Sequence, residues 1–116
     1  MNGSAQPAEV PEISPTDLQE RLEAGDVPVL VDVREAYERR IADLPDHDQI
    51  HIPTGSFMAR AEEIPRDRDV VVYCRSGSRS EWAARVLFHK GYERVFNLEG
   101  GVLGWREEVD PSLQSY

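Results

Sequence analysis

The sequence predicts an α/β domain built on a parallel sheet with helices on both faces. Strand-like and helix-like segments alternate along the chain, the pattern of successive βαβ units. The runs "VPVLVDV" (27–33) and "DVVVYC" (69–74) are continuously apolar rather than alternating, as strands buried on both faces require. The 116 residues suit one domain, long enough to bury roughly two-thirds of its unfolded surface.

Each element has its own justification. Residues 1–11 are small, polar and proline-containing, and read as a flexible tail or linker ahead of a domain spanning 12–116. In "EISPTDLQERLEAG", Ser14 caps a helix, Pro15 suits its first turn and Asp17 can return the capping bond. Ile13 and Leu18 are spaced as a hydrophobic staple, and Gly25 ends the helix. The run 27–33 is a strand, "REAYERRIADL" a short helix broken by "PDHDQ", and "IHIP" (50–53) a brief strand. "GSFMARAEEI" is a short helix stopped by Pro65, and 69–74 is the strongest strand in the chain. "SRSEWAARVLFHKG" is the clearest helix, with Ser78 and Glu81 in capping-box spacing and Gly91 as its stop. Trp82, Ala83, Val86 and Leu87 form its apolar stripe. "RVFNLEGG" supplies the last strand and turn, and "VLGWREEV" the last helix.

Composition narrows the function. Thirteen basic against 22 acidic residues give a net charge of −9, which argues against a nucleic-acid partner. No apolar stretch approaches the ~18 residues that span a bilayer, and "MNGSAQPAEVPE" lacks a signal peptide's apolar segment. The expected compartment is therefore the cytoplasm, with no membrane partner. A single cysteine excludes an intramolecular disulfide, a CxxC redox pair and a cysteine-based zinc cluster. His47, His51 and His89 share no metal-ligand spacing, so neither metal nor cofactor is expected.

That cysteine, Cys74, closes the strongest strand. Ligands of such sheets bind beyond the carboxyl ends of the strands. The segment "CRSGSR" then packs a turn into six residues, with Gly77 allowing a tight or left-handed backbone. Small serines let the amides point inward, and a helix start leaves them without helical partners, so the loop makes an anion cradle. A free thiol has a pKa of about 8.5. Bringing it to about 7 takes roughly 2 kcal/mol, at ~1.4 kcal/mol per unit. A helix terminus supplies about 0.3–2 kcal/mol. Arg75 and Arg79 are expected to make up the difference.

Spacing separates two chemistries. A cysteine-dependent phosphatase needs Cys-x5-Arg to encircle a tetrahedral phosphate. Here four residues separate Cys74 from Arg79, and Ser80 follows. The shorter ring better suits a thiolate carrying one extra sulfur.

With these residues in place, the chain resembles a single rhodanese domain of the sulfurtransferase family. "YCRSGSRS" is similar to the family's Cys-Arg-x-Gly-x-Arg loop, "VLVDVRE" (29–35) to its strand ending in Asp-Val-Arg, and "NLEGGVLGW" (97–105) to its closing segment. The likeness covers about residues 12–110 and departs at 43–53, where the family has a compact Gly-His-Ile-Pro-Gly-Ala turn. The resemblance implies a three-layer, rhodanese-like fold whose five-stranded parallel sheet has the order 1-5-4-2-3. It implies that Cys74 takes sulfane sulfur from a small donor such as thiosulfate or a persulfide, then passes it to a thiophilic acceptor. The amides of Arg75, Ser76, Gly77, Ser78, Arg79 and Ser80 would hold the outer sulfur, with Arg79 orienting the loop and Arg75 attracting an anionic donor. The two other classes consistent with the residues are a rhodanese-like binding module and a cysteine-dependent phosphatase or arsenate reductase.

Supporting residues carry two readings each. Asp32 and Arg34 either brace the loop from the neighbouring strand or form a helix cap and a surface ion pair. Glu38 reads as a solvated helix face, with the loop within reach as the alternative. His51 reads as strand-end packing or as rim, Trp82 and Trp105 as core, and Tyr73 as packing. The ending "WREEVDPSLQSY" resembles the tail of rhodanese domains fused behind E1-like adenylating enzymes, which implies a ubiquitin-like sulfur carrier as a partner. The polar start then reads as a linker remnant, or the chain as a free-standing relative.

Overall fold

The computed structural model describes residues 7–116. The first six residues of the expected tail lie outside the described residues. The elements run β1 (Glu12–Ile13), α1 (Pro15–Glu23), β2 (Val29–Asp32), α2 (Ala36–Ile41), β3 (Ile50–His51), α3 (Thr54–Arg60), a 3-10 turn (Ala61–Glu63), β4 (Val70–Tyr73), α4 (Ser78–His89), β5 (Val95–Leu98) and α5 (Gly101–Glu108). The strands form one parallel sheet in the order β1-β5-β4-β2-β3.

Strand alternation sorts the core into two layers. Residues 29, 31, 33, 70, 72 and 74 point to one face, where Phe57 of α3 and Ala83, Ala84, Leu87 and Phe88 of α4 cover them. Leu30, Val71 and Tyr73 point to the other, under Leu18 of α1 and Val102 and Trp105 of α5. Both central strands are buried along their whole length, which explains their unbroken apolar sequence. By parity Cys74 belongs to the α3–α4 face. Apolar packing begins at Val10, which is buried, and the Pro11 carbonyl accepts the amide of Asn97 on β5.

The two-residue β1 gave no periodic signal of its own, because a strand that short is defined only by its partner β5. Ser14 does cap α1, accepting the Asp17 amide at 3.0 Å, and Gly25 does follow it with φ 81°. Two expectations for α4 need correction. Its cap is Gly77, at φ 114°, and no Ser78 capping box forms, because the turn out of β4 is made by the glycine backbone. Trp82 lies one position outside the buried stripe of Ala83, Ala84, Leu87 and Phe88. It is 42% exposed, with its ring tilted against Phe57 at 5.9 Å. Trp105 is core as expected. No helix among the described residues is long and apolar enough to cross a membrane.

Candidate functional site

Cys74 stands at the carboxyl end of β4, 1% exposed, with its loop arching over it. The Gly77 amide donates to Sγ at 3.1 Å, and the Ser80 hydroxyl oxygen lies 3.3 Å from it. Burial pushes the thiol pKa up. The Ser80 hydroxyl and the amides of Ser80, Gly77 and Ser76 outweigh it, so the net displacement is downward. The direction agrees with expectation; the cause differs. Neither arginine bonds the sulfur: both are held by other groups, and Arg79 acts on Cys74 through its charge alone.

Arg79 is held by Glu38, in two bonds of 2.8 and 2.9 Å. Arg75 donates through Nε to the main-chain oxygen of Tyr116, and its guanidinium lies 5.2 Å from that ring's centre. Ser76 and Ser78 are exposed beside the loop and Gly77 is half-buried, while Ser80 is fully buried beneath it. The root of the loop is fixed from α5, where the amides of Val102 and Leu103 donate to the Cys74 and Arg75 carbonyls at 2.9 and 3.0 Å. Gly101 makes that approach possible, since a Cβ there would meet the Cys74 carbonyl oxygen at 2.5 Å.

Asp32 and Arg34, at and just beyond the end of β2, are both fully buried. Arg34 holds both Asp32 oxygens at 2.9 Å and donates to Asp43, the Ala42 carbonyl and the Tyr116 hydroxyl. Burial opposes the guanidinium charge, but Asp32 and then Tyr116 outweigh it and raise its pKa. The pair is no surface ion pair, and Asp32 caps no helix, Glu35 being the cap of α2. It reaches the loop through intermediaries. The Tyr116 hydroxyl donates to Glu38 at 3.1 Å, and Glu38 in turn grips Arg79. His51 packs at the strand end, its Nε2 2.6 Å from the Arg34 carbonyl oxygen, and the Tyr73 hydroxyl donates to Asp43 at 2.7 Å.

Glu38 is therefore not a solvated helix face; it is 3% exposed. The Arg79 bonds, working against burial, hold its carboxyl down at about 2, from an ordinary 4.5. A lowered folded-state pKa contributes stability that is complete above the ordinary value and disappears as pH falls through the folded one. We expect stability to drop between pH 4.5 and about 2, and Glu38→Gln to flatten that part of the curve. Urea unfolding at stepped pH measures it, and identical slopes for the two proteins would remove Glu38 as the cause.

Sequence reasoning missed three residues here. Tyr116 gave no signal, because its reach depends on how the chain folds back after α5. Gly101 was visible only as part of a Gly-Gly pair. Asn97 carried a readable sign, an amide within an otherwise apolar strand. Such a group needs a buried partner. Its partners are Ser80, whose hydroxyl oxygen lies 2.6 Å from Oδ1, and the Gly77 carbonyl, which accepts Nδ2 at 3.0 Å.

Known proteins resemble this chain in sequence and fold. A sulfurtransferase of Allochromatium vinosum is 43% identical over 96 residues, 83% of this chain and 88% of the relative. A probable adenylyltransferase/sulfurtransferase of Mycobacterium tuberculosis, MoeZ, is 30% identical across 97% of this chain, which spans only 29% of that protein. The crystal structure of reduced Bacillus anthracis CoADR-RHD superposes with a TM-score of 0.77 at 33% identity, covering 92% of this chain and 18% of the other. Residues 14–108 match the family described as Rhodanese-like domain, a span that runs from the cap of α1 to the end of α5 and so includes nearly every element that shapes the loop; the chain belongs to that family.

Proposed function

We infer that this domain is a sulfurtransferase of the thiosulfate type, working through a persulfide on Cys74. The relatives' names support sulfur transfer in general. One observation favours sulfur over phosphoryl chemistry: only four residues separate Cys74 from Arg79, a ring shorter than the Cys-x5-Arg loop that encircles a tetrahedral phosphate. A persulfide carries at most one negative charge, which backbone amides can hold.

The thiolate attacks the sulfane sulfur of thiosulfate, the S–S bond breaks and sulfite leaves with its electron pair. The outer sulfur of the resulting persulfide sits under the loop of residues 75–80. Cyanide or another thiophile then attacks that sulfur, and the Cys74 thiolate departs. The chain has no second thiol, so the persulfide cannot close to an internal disulfide and the sulfur must leave to another molecule.

The resemblance of the ending "WREEVDPSLQSY" to rhodanese domains behind E1-like adenylating enzymes adds an acceptor to this reading, a ubiquitin-like sulfur carrier with an adenylated C-terminus, and a relative named adenylyltransferase/sulfurtransferase supports it. The persulfide would attack the acyl carbon and expel AMP, giving an acyl disulfide. A thiol from a reductant or partner would then free the thiocarboxylate. Thiocyanate formation from thiosulfate and cyanide, beside a phosphate-ester assay, tests the main reading. We expect thiocyanate and no phosphate release. Phosphate release without thiocyanate would establish the phosphatase reading, and neither product would establish a binding module.

A further inference from the structure

The Ser80 hydroxyl has one proton and two neighbours that can accept it. Asn97 Oδ1 lies 2.6 Å from Ser80 Oγ and Cys74 Sγ lies 3.3 Å from it. The Asn97 amide cannot simply turn over to relieve the competition. Its Nδ2 donates to the Gly77 carbonyl at 3.0 Å, and reversal would set two oxygens against each other there. Both Ser80 and Asn97 are buried, so water does not readily substitute for either partner.

We propose that Asn97 is a positioning residue of this site: its amide oxygen competes with the Cys74 sulfur for the single proton of the Ser80 hydroxyl, and so sets how readily the thiol ionises. In the thiol form a relay is complete, with Cys74 donating to Ser80 and Ser80 donating to Asn97. When the thiol releases its proton to water, the thiolate needs a donor and the Ser80 hydroxyl turns toward Sγ. Asn97 Oδ1 then faces a hydroxyl oxygen without its proton, and a buried acceptor left so is unfavourable. Asn97 therefore restrains ionisation, while the amides of the loop promote it. Once Sγ carries an outer sulfur, the negative charge moves outward and Ser80 can turn back to Asn97. The device thus favours the thiol and the loaded persulfide over the bare thiolate.

Charged neighbours act separately from this proton: the Arg79 guanidinium and an ionised Cys74 sulfur attract one another through space, which the Asn97 variants leave in place. Arg79 of α4 is clasped by Glu38 of α2, and Arg75 is held at Tyr116. From β5 comes the uncharged Asn97, from α5 the Val102 amide on the Cys74 carbonyl, and from α3 the apolar Phe57 in the same cluster.

This inference rests on Cys74 being the reactive group, but its test reads the thiol itself and not sulfur transfer. With one cysteine in the chain, iodoacetamide alkylation and thiolate ultraviolet absorbance against pH report Cys74 alone. Asn97→Leu should move the midpoint down and raise alkylation below the midpoint by roughly threefold to tenfold, the worth of one redirected hydrogen bond. Ser80→Ala should move it the other way. The deciding comparison is Asn97→Leu in the Ser80→Ala background, where it should change the rate by less than about twofold. Asn97→Met repeats the test with a flexible side chain if the leucine variant does not fold. An unchanged or slower rate in folded single variants would overturn the proposal, as would an effect of the same size in the double variant. Loss of sulfur transfer with the alkylation pattern as expected would instead strike only the functional reading above.

Discussion

Cys74→Ser should lower sulfur transfer by on the order of 10³-fold or more, to the uncatalysed level, because no other side chain in the sequence can form a persulfide. The fold should survive. A serine hydroxyl at this position keeps the partners of the thiol, accepting from the Gly77 amide and donating to the Ser80 hydroxyl oxygen, so no polar group is orphaned. The surrounding apolar cluster loses only the difference between sulfur and oxygen in size. Intact mass after thiosulfate treatment should rise by one sulfur in the wild type and stay fixed in the variant. Circular dichroism and thermal unfolding should overlay closely. An active, correctly folded Cys74→Ser protein would end the persulfide mechanism.

The second large effect is on stability and comes from Arg34→Leu. Both ends of the Asp32–Arg34 pair are fully buried, and the guanidinium also satisfies Asp43, the Ala42 carbonyl and Tyr116. Removing one partner of a buried pair is destabilising by roughly 3–5 kcal/mol, and here it leaves Asp32 with the more distant Arg39, whose Nε is 3.6 Å from Oδ2. Domains of this size hold about 5–15 kcal/mol in all, so the variant should lose roughly a fifth or more of its stability. The midpoint of urea unfolding should fall at pH 7. Adding Asp32→Asn to Arg34→Leu should recover part of the loss. A change under about 1 kcal/mol would mean that water or the nearby Arg39 compensates Asp32.

These two expectations draw on different sources. The first was readable from the sequence because the active loop is local. Its cysteine, glycine and arginines lie within six consecutive residues, and a strand before and a helix after them are enough to orient the amides. The alternation of apolar runs with amphipathic segments likewise announced a parallel sheet, since burial on both faces leaves no room for polar positions in β2 and β4. The strand order came with the family likeness rather than from periodicity, and the structure has that order.

The second could not be read that way. "DVREAYE" shows charges but not where they go: spacing is compatible with a wet surface pair, and only the packed structure makes Asp32 and Arg34 dry. Glu38 looked solvated because its helix is only six residues long and its own neighbours are polar; its partner Arg79 lies 41 residues away. Tyr116 and Asn97 reach the loop from still other elements. By itself the sequence determined the sheet class, the two-sided burial of the central strands and the placing of the thiol, all consequences of short-range pattern. Only the tertiary structure decided which charge meets which. A hydrogen bond or ion pair between distant residues depends on angstrom-scale approach of separate elements, and nothing in the spacing along one strand or helix records it.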